Sequence, residues 1–329
     1  MRAALSVAPG AADQLEVREI DPPVPEPGEV IVAVEAVGLN FMDTLIIRDR
    51  YQVKPPRPFS PGAECAGRVI EVGSAASDFR VGDRVCAFVG YGAAREKIAV
   101  KQADLVRVPD KVSLDQAAAL MVTYGTVLYA LKDRAGMREG ETLLITGVTG
   151  GVGSAAVEIG QLLGARIIAC THRGRSDLEA KGVSLFVDPD VDRAKEAVRQ
   201  VTDRKGADIV LDNTGGALTE QLLRATGWGG RYLVVGFAAG EIPRPPLNLI
   251  MLKSINIVGI HWSAWAQRDI EAHKRNTEWL LSRVADGTLS PRIDKRLPLS
   301  RIADALSLIV DRKVRGKVVV TTVPEGCHP

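Results

Sequence analysis

Apolar positions recur along this chain with two different periods, and the change of period divides it. From residue 1 to about 120 the period is two. Residues 30–38 and 67–73 alternate apolar and polar positions and residues 82–88 follow a tight turn, so strands are predicted there. Prolines at 22, 23, 25 and 27, then at 55, 56, 58 and 61, punctuate the connections, and the stretch reads as a compact β-barrel-like domain. From about Ser113 the period lengthens. Residues 114–135 read as helical, and strands at 142–146, 166–170, 184–187, 209–212, 231–235 and 255–258 follow, with amphipathic helices near 192–203 and 217–226. Strands joined by such crossovers predict an α/β fold with a doubly wound parallel sheet. Past about 262 the pattern predicts one long helix over 267–286, a shorter one over 302–311 and a closing strand over 317–322. That strand is too small for a domain of its own and is expected to return to the barrel. The expected domains are therefore 1–120 with 262–329, and 121–261, with the substrate cleft between them.

The first strand of the α/β region runs into Gly147-Val-Thr-Gly-Gly-Val-Gly153 and then into the apolar-periodic Ser154-Ala-Ala-Val-Glu-Ile-Gly-Gln-Leu-Leu-Gly164. Strand, tight glycine turn and helix in that order are the geometry of a dinucleotide site. Gly147, Gly150 and Gly153 let the chain turn sharply and let its backbone approach a pyrophosphate. The phosphate charge then meets unpaired N–H groups and the positive end of the helix dipole. Thr149, Gly151 and Val152 complete the turn and are cofactor-binding candidates with the three glycines.

An NAD site ends its second strand, about 20 residues past the first glycine, with an acid that holds the ribose 2′-OH. Residues 166–170 run instead into Thr171-His-Arg-Gly-Arg-Ser176, and the first acid is Asp177, in a helix-cap position. Arg173 and Arg175, beside Thr171 and His172, suit a 2′-phosphate, because Arg gives charge-assisted and often bidentate bonds to phosphate oxygens. The expected cofactor is NADPH. The alternative is that both arginines are solvated loop charges.

A net charge of +2, with 25% charged and 46% hydrophobic residues, gives no argument for a nucleic-acid or membrane partner. Cys65, Cys86, Cys170 and Cys327 stand far apart, without a CxxC pair or a His at ligand spacing. They read as thiols of a reducing compartment, and no metal is expected on their account. His172, His273 and His328 form no set. The chain opens Met1-Arg-Ala-Ala-Leu-Ser-Val7 straight into a strand pattern, with no signal-peptide pattern and no apolar run of about 18 residues, so a cytoplasmic location is expected.

Four stretches carry a resemblance: Gly38-Leu-Asn-Phe-Met-Asp-Thr44, residues 50–67 ending Ser60-Pro-Gly-Ala-Glu-Cys-Ala-Gly67, the glycine turn, and Val234-Val-Gly-Phe-Ala-Ala-Gly-Glu-Ile-Pro243 with Pro246-Leu-Asn-Leu249. Over essentially its whole length the chain resembles the zinc-independent quinone oxidoreductases of the medium-chain dehydrogenase/reductase superfamily. The resemblance implies a GroES-like β-barrel catalytic domain split between the ends of the sequence, a central NADPH-binding Rossmann domain, and commonly a homodimer built through the Rossmann sheets. The small-molecule acceptor it implies is a quinone. Two other readings stay open: an enoyl-type reductase of α,β-unsaturated ketones, aldehydes or acyl-CoA thioesters, and a non-catalytic NADPH-binding protein.

Zinc-bearing relatives carry Cys where this chain has Asn40, His where it has Ala63, and a four-cysteine lobe missing here. Asn and Ala supply neither thiolate nor imidazole. The Asn40 amide is then available to the nicotinamide ribose or the substrate oxygen, with a turn role as the alternative. In similar enoyl-thioester reductases a Tyr at the position matching Tyr51 donates the proton, and a phenol titrating near ~10 is protonated at neutral pH. Packing over the proline-rich loop is the alternative for Tyr51. Thr123 and Thr126 match positions lining the nicotinamide pocket, with helix packing as the alternative. Phe237 and Ala238 follow the fifth strand, where backbone N–H groups of such folds meet the carboxamide. Asn213 and Thr214, and Arg315 or Lys317, are further cofactor-side candidates, although a lone Lys at a strand start is more often solvated. Pro189 stands where many relatives have an aromatic near the adenine. Trp262 either narrows the pocket or packs, and Lys54 and Arg57 are the cations available to a CoA phosphate.

Overall fold

Glu29–Leu39 is an eleven-residue strand that is buried along most of its length. Glu64–Val72 pairs antiparallel along one edge of it. The other edge takes Lys97–Lys101 at its start and Lys317–Thr321 at its end, so the closing strand does return to the barrel. The computed structural model describes residues 1–322, and Cys327 and His328 lie outside the described residues. Two units divide the chain, Met1–Gly125 with Ser263 onward and Thr126–Trp262.

In the first unit a seven-stranded sheet runs Ile293–Pro298, Lys317–Thr321, Glu29–Leu39, Glu64–Val72, Arg84–Phe88, Leu105–Arg107, with Lys97–Lys101 beside the long strand. Only the first pair is parallel. Register shifts between Ile31 and Val32 and between Val34 and Ala36 bend the sheet, as bulges do. Val30, Val32, Val34, Val69, Val85 and Val318 close a core inside the curve. Gly67 permits it, since a Cβ there would meet the Ala33 carbonyl oxygen at 2.0 Å.

In the second unit six parallel strands stand in the order Leu185–Val187, Arg166–Cys170, Thr142–Thr146, Ala207–Asp212, Thr226–Val234, Asn256–Gly259. Numbered along the chain that order is 3-2-1-4-5-6, the doubly wound Rossmann topology. All five residues of Thr142–Thr146 are buried, as expected of a central parallel strand with both faces covered. The switch point lies between Thr142–Thr146 and Ala207–Asp212, where ligands of such sheets bind at the carboxyl ends.

Several elements depart from the sequence pattern. The helical stretch 114–135 is three pieces, Leu114–Ala118, Met121–Leu128 and a π-helical turn at Tyr129–Arg134. The long helix expected over 267–286 is broken: Trp262–Arg268 ends and Ile270–Ala285 restarts, because the Asp269 carboxylate accepts the Ala272 N–H at 3.0 Å as a new cap. A short helix at Asn248–Lys253 was hidden by the prolines before it.

Candidate functional site

The glycine turn follows from local geometry. Gly147 sits at φ +59° and Gly150 caps the helix Gly151–Leu162 from an extended conformation. A Cβ on Gly153 would stand 2.2 Å from the Gly147 carbonyl oxygen, so no side chain fits. No side chain caps this helix and no acid lies in its first turn, so the N–H groups at its start face outward with the positive end of the dipole. An anion is the complement to such an end.

Beyond the second strand, Thr171 is folded into its own loop: its hydroxyl donates to the Arg173 carbonyl at 2.8 Å and accepts the Arg173 N–H at 3.0 Å. Arg175 lies over the Phe186 ring at 5.4 Å and donates to Asp188 at 2.6 Å, with His172 Nδ1 3.8 Å from the same oxygen. Asp188 is a partner of the arginine loop that the sequence pattern did not reveal. Parallel pairing of Val187 with Cys170 brings it beside the arginine loop from the next strand. Arg173 is exposed and has no ion-pair partner among the described residues.

At the switch point two of the candidates have partners within the fold. The Ala238 N–H, expected to meet a ligand carboxamide, donates to the Asn213 carbonyl at 3.2 Å and is engaged within the fold. Asn213 is likewise tied down: its backbone N–H and its amide donate to the Thr146 hydroxyl and carbonyl at 2.9 and 3.0 Å. Phe237 is about one-third exposed, beside Gly215, whose added Cβ would meet its ring at 2.8 Å. Thr126 is partly buried.

The first unit holds a buried polar cluster that pattern reading did not find. The register that sets Val318 opposite Leu39 delivers Lys317 to Asn40. The Lys317 ammonium donates to the Leu39 carbonyl at 2.9 Å, Asn40 Oδ1 at 2.5 Å and Glu64 Oε1 at 2.7 Å, one acceptor for each proton. Lys317 is therefore neither solvated nor placed to reach a ligand, since it is 4% exposed. The Asn40 amide donates to Glu64 Oε1 at 2.9 Å and to the Gly38 carbonyl at 3.2 Å, so its two hydrogens are engaged in the cluster, not offered to a ribose. Glu64 Oε2 accepts the Val122 N–H at 2.9 Å and holds the start of Met121–Leu128. The Thr123 hydroxyl, expected to line the nicotinamide pocket, donates to the Ala119 carbonyl at 3.1 Å. Asp43 accepts the Asn40 and Gly62 N–H groups at 2.7 and 3.1 Å. Burial pushes its carboxyl up to about 7 against those bonds and the Lys317 charge.

Tyr51 is partly buried against the barrel core. Burial raises its phenol above the ordinary value, a hydrogen bond with the Ser263 hydroxyl lowers it, and the Asp43 charge raises it again. Arg57 is paired with Asp49 at 2.9 Å and donates to the Ile47 carbonyl at 3.1 Å, which leaves exposed Lys54 as the cation of that loop open to a ligand. Trp262 is buried. Among the described residues no three His, Cys, Asp or Glu side chains are grouped to hold a metal ion.

An uncapped glycine turn at the switch point of a doubly wound sheet, in a chain that also carries a split β-barrel, defines a dinucleotide-dependent oxidoreductase class. Residues 26–110 match the alcohol dehydrogenase GroES-like domain and residues 151–277 the zinc-binding dehydrogenase family. The chain is 34% identical over 313 residues to quinone oxidoreductase-like protein 2 of Mus musculus, covering 93% of this chain and 89% of that one. It is 30% identical to the synaptic vesicle membrane protein VAT-1 homolog of Rattus norvegicus, over 95% of this chain and 81% of the other. Among solved structures, a quinone oxidoreductase of Pseudomonas syringae superposes with a TM-score of 0.89 at 28% identity, covering 97% and 99% of the two chains. A mycobacterial protein solved as a complex with NADPH superposes equally well, at 0.89 and 25% identity over 98% and 99%. The chain belongs to the quinone oxidoreductase family of the medium-chain dehydrogenase/reductase superfamily, and it is an oxidoreductase of that type with a nicotinamide cofactor.

Proposed function

We propose that this protein is a zinc-independent, NADPH-dependent quinone reductase that works in the cytoplasm as a homodimer. The observation that carries the cofactor is the open start of Gly151–Leu162 behind a turn in which Gly147 has a positive φ and Gly153 admits no side chain. Arg173 and Arg175 favour the 2′-phosphate over a bare ribose. A zinc ion does not fit the residues at the matching positions: Asn40 and Ala63 offer no thiolate or imidazole, and the Lys317 ammonium already neutralises Glu64 at 2.7 Å. Bound NADPH would supply the hydride. Tyr51 serves as proton donor to the acceptor oxygen, its burial keeping the phenol protonated at neutral pH and Ser263 easing release of the proton.

NADPH oxidation measured side by side with a naphthoquinone, an enone and acryloyl-CoA tests the reading. Fastest turnover of the quinone is expected. A clear preference for the thioester would make the protein an enoyl-type reductase, whose hydride chemistry is the same. NADPH binding without turnover of any acceptor would favour the non-catalytic reading, for which likeness to a vesicle membrane protein is the motive. Tyr51→Phe is expected to lower kcat with the enone by roughly a hundredfold and to leave the Kd for NADPH near wild type. An unchanged rate would remove Tyr51 as the donor.

A further inference from the structure

The most heavily bonded side chain in the second unit is one that neither the motif nor the family resemblance singled out. Asp212, 3% exposed, ends the fourth strand of the sheet on the far side of the switch point from Thr146. Its Oδ1 accepts from the Thr146 hydroxyl at 2.8 Å, the Thr214 N–H and hydroxyl both at 2.9 Å, and the Gly215 N–H at 3.1 Å. Its Oδ2 accepts from the Tyr232 hydroxyl at 2.6 Å and the Thr219 hydroxyl at 3.1 Å. Burial alone would push this carboxyl up. The donors from Tyr232, Thr214, Gly215 and Thr146 outweigh it and hold the group below the usual range, as a carboxylate.

The two oxygens have different jobs. Oδ2 faces inward, to a helix residue and a core tyrosine. Oδ1 gathers the ends of two strands: Thr146 is bonded covalently to Gly147, and the Thr146 hydroxyl that donates to Asp212 also accepts the Asn213 N–H at 2.9 Å. Gly147, at φ +59°, has its open side against Asn213 and Thr214, where an added Cβ would stand 3.6 and 3.5 Å from their side chains. The next loop rests on the same segment, since Ala238 and Ala239 donate to the Asn213 and Thr214 carbonyls at 3.2 and 2.8 Å. One oxygen atom thus fixes the first residue of the glycine turn, the 213–215 loop and, through that loop, the position of Phe237.

We propose that Asp212 is a positioning residue for the dinucleotide: its Oδ1 sets the relation between the glycine turn and the 213–215 loop, so that both meet the bound cofactor at once. The inference rests on the NADPH reading above. It concerns how the affinity is built, because the carboxylate itself is wholly enclosed by protein donors and reaches no ligand.

The two oxygens can be tested separately. Thr146→Val removes the donor on the turn-facing oxygen with little change of shape, and Tyr232→Phe removes a donor from the inward oxygen. Fluorescence titration with NADPH, thermal melting and kcat at saturating NADPH are measured on each. Thr146→Val is expected to raise the Kd for NADPH about tenfold with kcat at saturation nearly unchanged, because a misplaced binding loop is felt before chemistry. Tyr232→Phe is expected to lower the Tm while its Kd stays within about twofold of wild type. A wild-type Kd in folded Thr146→Val, or a Kd that rises in step with the Tm loss across both variants, overturns the proposal and leaves Asp212 a core residue. A wild-type protein that does not bind NADPH at all overturns the cofactor reading itself, and this inference with it.

Discussion

Arg175 is already paired, and the strength of that pair decides whether it can serve a phosphate. Its partner Asp188 and its own side chain are about half exposed, 58% and 45%, and such pairs contribute about 0–1 kcal/mol. A 2′-phosphate offering bidentate, charge-assisted bonds would outcompete a pair that weak, with the guanidinium already held over the Phe186 ring. Replacing Arg173 and Arg175 together with Ala is expected to raise the KM for NADPH roughly tenfold or more and to leave NADH nearly untouched. Equal effects on both cofactors would remove the phosphate assignment. The arginines were legible because they are adjacent in sequence; Asp188 was not, because only strand pairing brings it there. Asp43 gives a second test at this scale. With its carboxyl at about 7 the folded chain holds a proton that the unfolded chain releases near ~4, so this group lowers stability as pH rises between those values. Burial pushes His273 down to about 4, and that group lowers stability in the opposite sense, as pH falls from about 6.5. The slopes oppose each other, and urea unfolding of wild type is expected to change little between about pH 4.5 and 6.5. Asp43→Asn removes one slope, and its stability should then climb with pH across the same window. A flat profile in that variant would contradict the Asp43 shift.

At the scale of elements, the closing strand Lys317–Thr321 is anchored by one charge. Lys317 and Glu64 are 4% and 0% exposed at the side chain, and breaking a buried pair by removing one partner costs about 3–5 kcal/mol, because the other charge is left unpaired. Lys317→Met is expected to destabilise the protein by that order, and adding Glu64→Gln should recover most of it, as read by denaturant midpoints. A single variant as stable as wild type would mean that the ammonium is not needed to hold the strand. This cluster was not legible in the sequence, where the two partners stand 253 positions apart and a lysine at a strand start reads as solvated. The glycine turn was legible, because its strand, its turn and its helix are contiguous, and Gly147 and Gly153 have local reasons in a positive φ and a Cβ clash. The break at Asp269 escaped for another cause: apolar periodicity runs on across it, while the cap that restarts the helix is a single side-chain bond.

For the whole molecule, the open question of assembly turns on one edge of the six-stranded sheet. Asn256–Gly259 pairs with Thr226–Val234 on one side and is the last strand of the order, so its other row of backbone donors and acceptors has no strand partner among the described residues. Ile257 on it is 45% exposed, and the helix just before it shows Met251 at 71% and Leu252 at 60%. An apolar, unpaired edge of this kind invites either aggregation or a defined partner. A second copy of the same edge satisfies it by two-fold symmetry, each strand pairing with its twin, which is why a homodimer is the form proposed. The sequence predicted the strand but could not predict that it lies at the edge, since strand order is a property of the assembled sheet. If this edge makes the dimer, Ile257→Lys with Met251→Glu should elute as a monomer in size-exclusion chromatography with light scattering, while wild type elutes as a dimer at micromolar concentration. The glycine turn follows the central strand Thr142–Thr146, with two strands between it and this edge strand, so the monomeric variant should still bind NADPH with near wild-type affinity. Wild type running as a monomer, or the variant remaining a dimer, would move the interface elsewhere.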